Sequence, residues 1–152
     1  MRRFHSYGPV DPRRHFCVKR RELREKCLKN LIDDPEEGGH FFTIWAPRQA
    51  GKTWLLRQVR QEIEKRYKDR FIIGSMSMQG TVFKEGDTED AMLPRIPFLM
   101  KETFQIKPES PENWDDWKAF FSKNGGLFDR PVILFVDEFD SLPPNIIDRL
   151  VT

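Results

Sequence analysis

Two cysteines in 152 residues, Cys17 and Cys27, are too few for a disulfide framework and form no C-x-x-C pair. The three histidines, His5, His15 and His40, stand far apart with no cysteine or acid at ligand spacing, which argues against a zinc site. No Ser/His/Asp or Cys/His arrangement has local support either. Long hydrophobic runs are also missing: nothing approaches the roughly 20 apolar residues that span a bilayer, so no membrane partner is expected. Met1-Arg2-Arg3-Phe4-His5-Ser6 carries charge but no apolar run, unlike a secretory signal. Nine glycines and eleven prolines follow no period, against collagen-like, repeat and low-complexity chains. A reducing cytoplasm is the expected compartment.

What is present suits one packed domain. A chain of this length buries about 68–70% of its unfolded surface without staples. Its 38% hydrophobic and 33% charged residues are ordinary for such a domain. The net charge of +2 hides an asymmetry. Residues 1–30 hold ten Lys/Arg against Asp11, Glu22 and Glu25, a balance of +7, which leaves −5 for the remainder. Such a basic head is a nucleic-acid arm, a phosphate-facing edge or the wet face of a helix.

Residues 1–17 are rich in Pro, Arg and aromatics without periodicity, and read as an extended lead-in punctuated at Tyr7-Gly8-Pro9 and Asp11-Pro12. From Arg20, apolar residues at Leu23, Cys27, Leu28, Leu31 and Ile32 have helical spacing, and Asp33 to Gly39 ends that helix. His40 to Trp45 predicts a strand covered on both faces, Ala46 to Gly51 a loop, and Lys52 to Lys68 a helix lined by Leu55, Leu56, Val59 and Ile63. Glu62–Arg66 and Glu64–Lys68 offer i,i+4 ion pairs on that helix. Phe71-Ile72-Ile73 opens a second strand ending near Ser75. Between about 76 and 130 the signal weakens, and Pro94, Pro97, Pro108 and Pro111 break any long helix. Lys84-Glu85-Gly86-Asp87 predicts an exposed turn. Asn113 to Lys123 predicts a helix whose Trp114, Trp117 and Phe121 face a core. Val132 to Val136 is a buried strand, and a last helix follows Pro143-Pro144 with Ile146, Ile147 and Leu150 inward. Strand, loop, helix, strand, crossover, strand is the grammar of a parallel α/β sheet, whose ligands sit beyond the carboxyl ends of the strands.

Two segments carry chemistry. Ala46-Pro47-Arg48-Gln49-Ala50-Gly51-Lys52-Thr53 is one substitution from G-x-x-x-x-G-K-[ST], with Ala46 in place of the first glycine. Gly51 permits a close backbone turn, and successive N–H groups face inward over the positive end of a helix. Lys52 supplies a point charge for β- and γ-phosphate oxygens, and Thr53 a hydroxyl for Mg²⁺. Val132 to Val136 then delivers Asp137 and Glu138 at a strand end, the form of a Walker B motif. Asp137 suits the Mg²⁺ shell with Thr53, and Glu138 suits orienting a water for attack on the γ-phosphate.

Together, the Ala-Pro-Arg-Gln-x-Gly-Lys-Thr loop and Asp137-Glu138-Phe139-Asp140-Ser141-Leu142 resemble the AAA-like ATPases among the P-loop NTPases, near the AAA+ and STAND groups. The similarity covers roughly Tyr7 to Thr152. It implies a partial P-loop three-layer α/β/α sandwich in one incomplete domain over 1–152, with a basic lead-in and first helix at 1–38 and a nucleotide-binding core at 39–152. It implies ATP and Mg²⁺ as cofactors, Lys52 and Glu138 as catalytic residues, and Val18 and Arg20 beside the adenine. In that family a polar sensor strand and a last strand follow Walker B, often with a lid domain. None follows here, so the expectation is a truncated product, a fragment or half of a split protein that binds ATP–Mg²⁺ weakly and hydrolyses it poorly. Two alternatives stand beside it. In one, the nucleotide gates an interaction with a protein partner or a second copy. In the other, Arg2, Arg3, Arg13 and Arg14 contact nucleic acid.

Overall fold

The computed structural model describes residues 4, 11, 13–18, 20–32, 41–47, 50–84 and 86–151. They fall into two compact units, Met1–Arg66 and Tyr67–Thr152.

The first unit is built on two helices packed together, α1 (Arg21–Leu31) and α2 (Lys52–Arg66). Cys27 and Leu28 of α1 and Leu55, Val59 and Ile63 of α2 are buried, as their spacing predicts. Leu23, expected on the same stripe, instead lines an open depression of about 340 Å³ with Arg20, Arg21 and Glu22. The predicted Glu62–Arg66 pair forms at 2.7 Å. Because α2 stops at Arg66, Lys68 no longer follows Glu64 by one helical turn, and Glu64 takes Arg60 at 2.8 Å instead. Arg66 also reaches Glu25 of α1 through both terminal nitrogens, at 3.1 and 3.3 Å. This guanidinium holds the Glu25 carboxyl below its usual range.

One expectation fails here. Of the predicted strand His40–Trp45, residues 41–45 join no ladder, Phe41 is 69% exposed and Trp45 is 90% exposed. His40 lies outside the described residues. Aromatic and β-branched composition favours an extended chain, but a strand exists only where a neighbour supplies donors and acceptors.

The second unit is mixed α/β around a two-stranded parallel sheet of β1 (Ile72–Ser77) and β2 (Val132–Asp137). The register runs from Ile72 opposite Val132 to Ser77 opposite Asp137. It is prolonged at both ends, by the Ile72 N–H donating to Pro131 O at 2.9 Å and the Met78 N–H donating to Asp137 O at 3.0 Å. Between the strands come a 3-10 helix at Glu89–Arg95, then α3 (Ile96–Phe104) and α4 (Trp114–Ala119), and α5 (Pro144–Val151) follows β2. The prolines break any long helix here, as expected: a seven-residue 3-10 segment gives way to the nine-residue α3. Pro94 sits in the 3-10 segment and Pro97 in the first turn of α3, where a missing N–H costs no helical bond.

Sulfur and aromatic side chains fill the core of this unit. All four internal methionines, Met76, Met78, Met92 and Met100, are buried in it, where flexible thioethers fit irregular gaps. Trp114 and Trp117 are 7% and 6% exposed, so the aromatic stripe of α4 is core as expected, with Phe121 edge-on to Trp117 at 4.7 Å. α4 ends at Ala119 rather than at Lys123, and the chain turns so that the Leu127 N–H donates back to Phe120 O at 2.8 Å. At its start Asn113 accepts from the N–H groups of Asp115 and Asp116 at 2.9 and 3.0 Å, while Asp116 accepts from the Asn113 N–H at 3.3 Å. This reciprocal cap lets a six-residue helix hold its first turn.

α3 lies on β1 so closely that Gly74 has no substitute. A Cβ built there would stand 2.3 Å from Phe104 Cζ and 2.7 Å from Thr103 Cγ2. The missing side chain lets the helix approach the strand.

Candidate functional site

The loop before α2 is described at Ala46, Pro47 and from Ala50 on; Arg48 and Gln49 lie outside the described residues. Gly51 has φ +80°, the left-handed conformation that favours glycine, and its carbonyl accepts the first helical bond, from the Leu55 N–H at 3.0 Å. The turn is closed by the Ala50 N–H donating to Pro47 O at 3.3 Å. α2 therefore begins at Lys52, as the motif requires, and the N–H groups of its first turn have no partner within the helix. That turn holds no acid, so no carboxylate on it competes with an anion for the positive end of the helix dipole.

Lys52 folds back over the loop, its Nζ donating to Ala46 O at 2.7 Å. The ammonium thus sits on the loop, held by a neutral carbonyl that a charged oxygen can outcompete. Thr53 stands exposed on the same turn. Arg20, immediately before α1, donates from Nη2 to Ala50 O at 2.6 Å. Val18, two residues earlier, is 73% exposed.

In the second unit the acidic pair stands at the carboxyl end of the sheet. β2 ends at Asp137, and Glu138 turns the chain with φ 57° and ψ 32°, left-handed geometry that costs a non-glycine residue about 1–2 kcal/mol. The bend is pinned from both sides. Asp137 Oδ1 accepts from the Glu138 N–H at 3.0 Å. Glu138 O accepts from Ser141 Oγ at 2.6 Å and the Ser141 N–H at 3.1 Å. The Glu138 side chain is left exposed beyond the strand end. Strain of this kind concentrates where a side chain must be aimed.

No family model, no curated protein and no solved structure matches this chain. The residues themselves carry the functional reading. Amides at a helix start, a lysine ammonium and a threonine hydroxyl form a donor set suited to polyphosphate. Among the described residues no three or more His, Cys, Asp or Glu side chains gather as a metal cluster. No described helix is long and apolar enough to cross a membrane.

Ser77 extends β1 two residues beyond the end near Ser75 that the sequence predicts. It lies in register with Asp137, at the same end of the sheet, and its Oγ accepts from the Gln79 N–H at 3.2 Å. The alternation Gly74, Ser75, Met76, Ser77, with the apolar pair buried and the serines exposed, is the signal that carries the strand two residues further.

Proposed function

We propose that this chain binds ATP with Mg²⁺ and belongs with the AAA-like ATPases of the P-loop class, on a three-layer α/β/α plan. The observation that carries the reading is the head of α2: an acid-free first turn, opened by Gly51 in a left-handed conformation, with the Lys52 ammonium lying on the loop that precedes it. Further support comes from the strand-end carboxylates and the strained, pinned backbone that presents Glu138.

In this reading the amides from Ala50 to Thr53 and the Lys52 ammonium hold phosphate oxygens. Thr53 in the first unit and Asp137 in the second each offer an oxygen of the kind that would hold Mg²⁺, and the ion would neutralise charge on the phosphates. Glu138 orients and polarises the attacking water. Equilibrium titration of the full chain with a fluorescent ATP analogue and Mg²⁺ tests it. Lys52→Ala should weaken binding at least about tenfold, the scale of one lost charge-assisted contact. Equal affinity of the variant and the wild type would remove the basis of the proposal. If the nucleotide instead gates an interaction, turnover stays slow until a protein partner is added.

A second reading, nucleic-acid binding by the basic segment, is favoured by one separate observation. The Arg13 and Arg14 side chains are 89% and 77% exposed, and nearby in sequence Phe16 packs its ring 5.0 Å from that of Phe4. Exposed guanidinium groups and rings suit single-stranded nucleic acid. Arg2 and Arg3 lie outside the described residues. Fluorescence anisotropy with a labelled oligonucleotide over a salt series tests this reading, and affinity that persists when Arg13 and Arg14 are both replaced by Glu would count against it.

A further inference from the structure

Arg20 does more than line a depression. Its Nη2 spans thirty residues of chain to donate to Ala50 O at 2.6 Å. Its guanidinium also lies along Gly51, where a Cβ would meet Nη2, Cζ and Nη1 at 3.4, 3.6 and 3.7 Å. The flat group therefore covers one side of the Ala50–Gly51 peptide while bonding its oxygen. The described peptides include no cis bond. In a planar trans peptide the C=O and the following N–H point in opposite directions. Holding Ala50 O toward Arg20 consequently turns the Gly51 N–H away from it.

We propose that Arg20 is a positioning residue for the phosphate loop. It anchors the Ala50 carbonyl so that the Gly51 amide of the same peptide is presented to an anion, without itself touching the phosphate. The inference rests on the reading of this loop as a polyphosphate site. A peptide next to a glycine with positive φ is otherwise free to flip, which would turn a carbonyl toward the anion. Preorganisation of this kind raises affinity by removing an ordering cost. The arginine acts on the loop rather than on a base, so its effect must be the same for ATP and for a ligand with no base.

The test titrates the full chain with Mg²⁺–ATP and, separately, with inorganic tripolyphosphate, following the Gly51 amide by ¹H–¹⁵N NMR. Wild type, Arg20→Ala, Arg20→Lys and Lys52→Ala are compared. Wild type should bind both ligands and shift the Gly51 amide strongly. Arg20→Ala should weaken both by the same factor, about tenfold, with that shift lost. Arg20→Lys, which keeps one donor for Ala50 O, should recover part of both, and it serves as the readout if the alanine variant unfolds. Arg20→Ala that binds both ligands like wild type overturns the inference. So does a loss confined to ATP, which would place the arginine at the base. If wild type binds neither ligand, the polyphosphate reading itself fails and the inference with it. Binding by wild type that Lys52→Ala abolishes and Arg20→Ala leaves intact rejects the Arg20 role alone.

Discussion

Replacing Gly74 by alanine adds a single methyl group at the closest helix-to-strand approach of the second unit. The new Cβ would stand 2.3 and 2.5 Å from two ring carbons of Phe104 and 2.7 Å from Thr103 Cγ2. Carbon atoms settle near 3.5–4.0 Å, so the overlaps run from about 0.8 to 1.7 Å. The ring has little room to retreat, because its other neighbour is Phe128, 4.8 Å away between centroids at 63°. Overpacking of this kind costs about 1–3 kcal/mol, and the alanine recovers about 0.4–1 kcal/mol by restricting the unfolded chain. The net expectation is destabilisation by about 1–2 kcal/mol, a fall in Tm of roughly 4–16 °C for a cooperative unit of this size. Thermal and urea unfolding followed by tryptophan fluorescence would measure it, since Trp114 and Trp117 report on this core. Shortening the ring with Phe104→Leu should be less damaging in the Gly74→Ala background than in wild type, a coupling that a double-mutant cycle reads directly. Wild-type stability for Gly74→Ala, or strict additivity with Phe104→Leu, would refute the close-approach account.

Three further outcomes follow from the same structure. Asn113→Ala removes the acceptor for two α4 amides and should lower stability by about 1 kcal/mol, whereas Asn113→Asp, which keeps a capping oxygen, should cost far less. The Glu25 carboxyl is held below its usual value of 4.5 by the hydrogen-bonded Arg66 guanidinium. Its contribution is thus fully present above that value and is lost as the pH falls through the depressed one. Acid unfolding of wild type below about pH 4.5 should therefore be steeper than that of Glu25→Gln, with the two curves parallel from pH 5 to 7. Glu138→Gln should retain nucleotide binding and slow ATP turnover by about 10²–10⁴-fold, the usual value of a positioned general base. An unchanged rate, measured by phosphate release alongside the binding titration, would remove Glu138 from the chemistry.

Features governed by neighbours in sequence are legible in the sequence itself. Helical spacing located α1 and α2, the five apolar residues before Asp137 located β2, and Lys84 to Asp87 closes through the Asp87 N–H donating to Lys84 O at 3.1 Å. The start of α2 at Lys52 and the end of β2 at Asp137 were legible because a glycine and a switch from apolar to charged residues act locally. Other features depended on partners far along the chain. Residues 41–45 have strand composition but no ladder, since pairing requires a second backbone that the run cannot specify. Pro94 and Pro97 keep the helical segments short, yet coiling on either side of them depends on the packing of Ile96, Leu99 and Met100, and Pro97 falls in the first turn of α3, where no helical N–H is lost. The need for glycine at position 74 arises from a ring thirty residues away, and the anchor on the Ala50–Gly51 peptide from an arginine thirty residues earlier. Composition and periodicity determine which segments coil, extend or turn, because those preferences belong to each residue and its near neighbours. Tertiary packing alone decides which extended run finds a partner and which backbone amide is held in place, because both depend on groups brought together from distant parts of the chain.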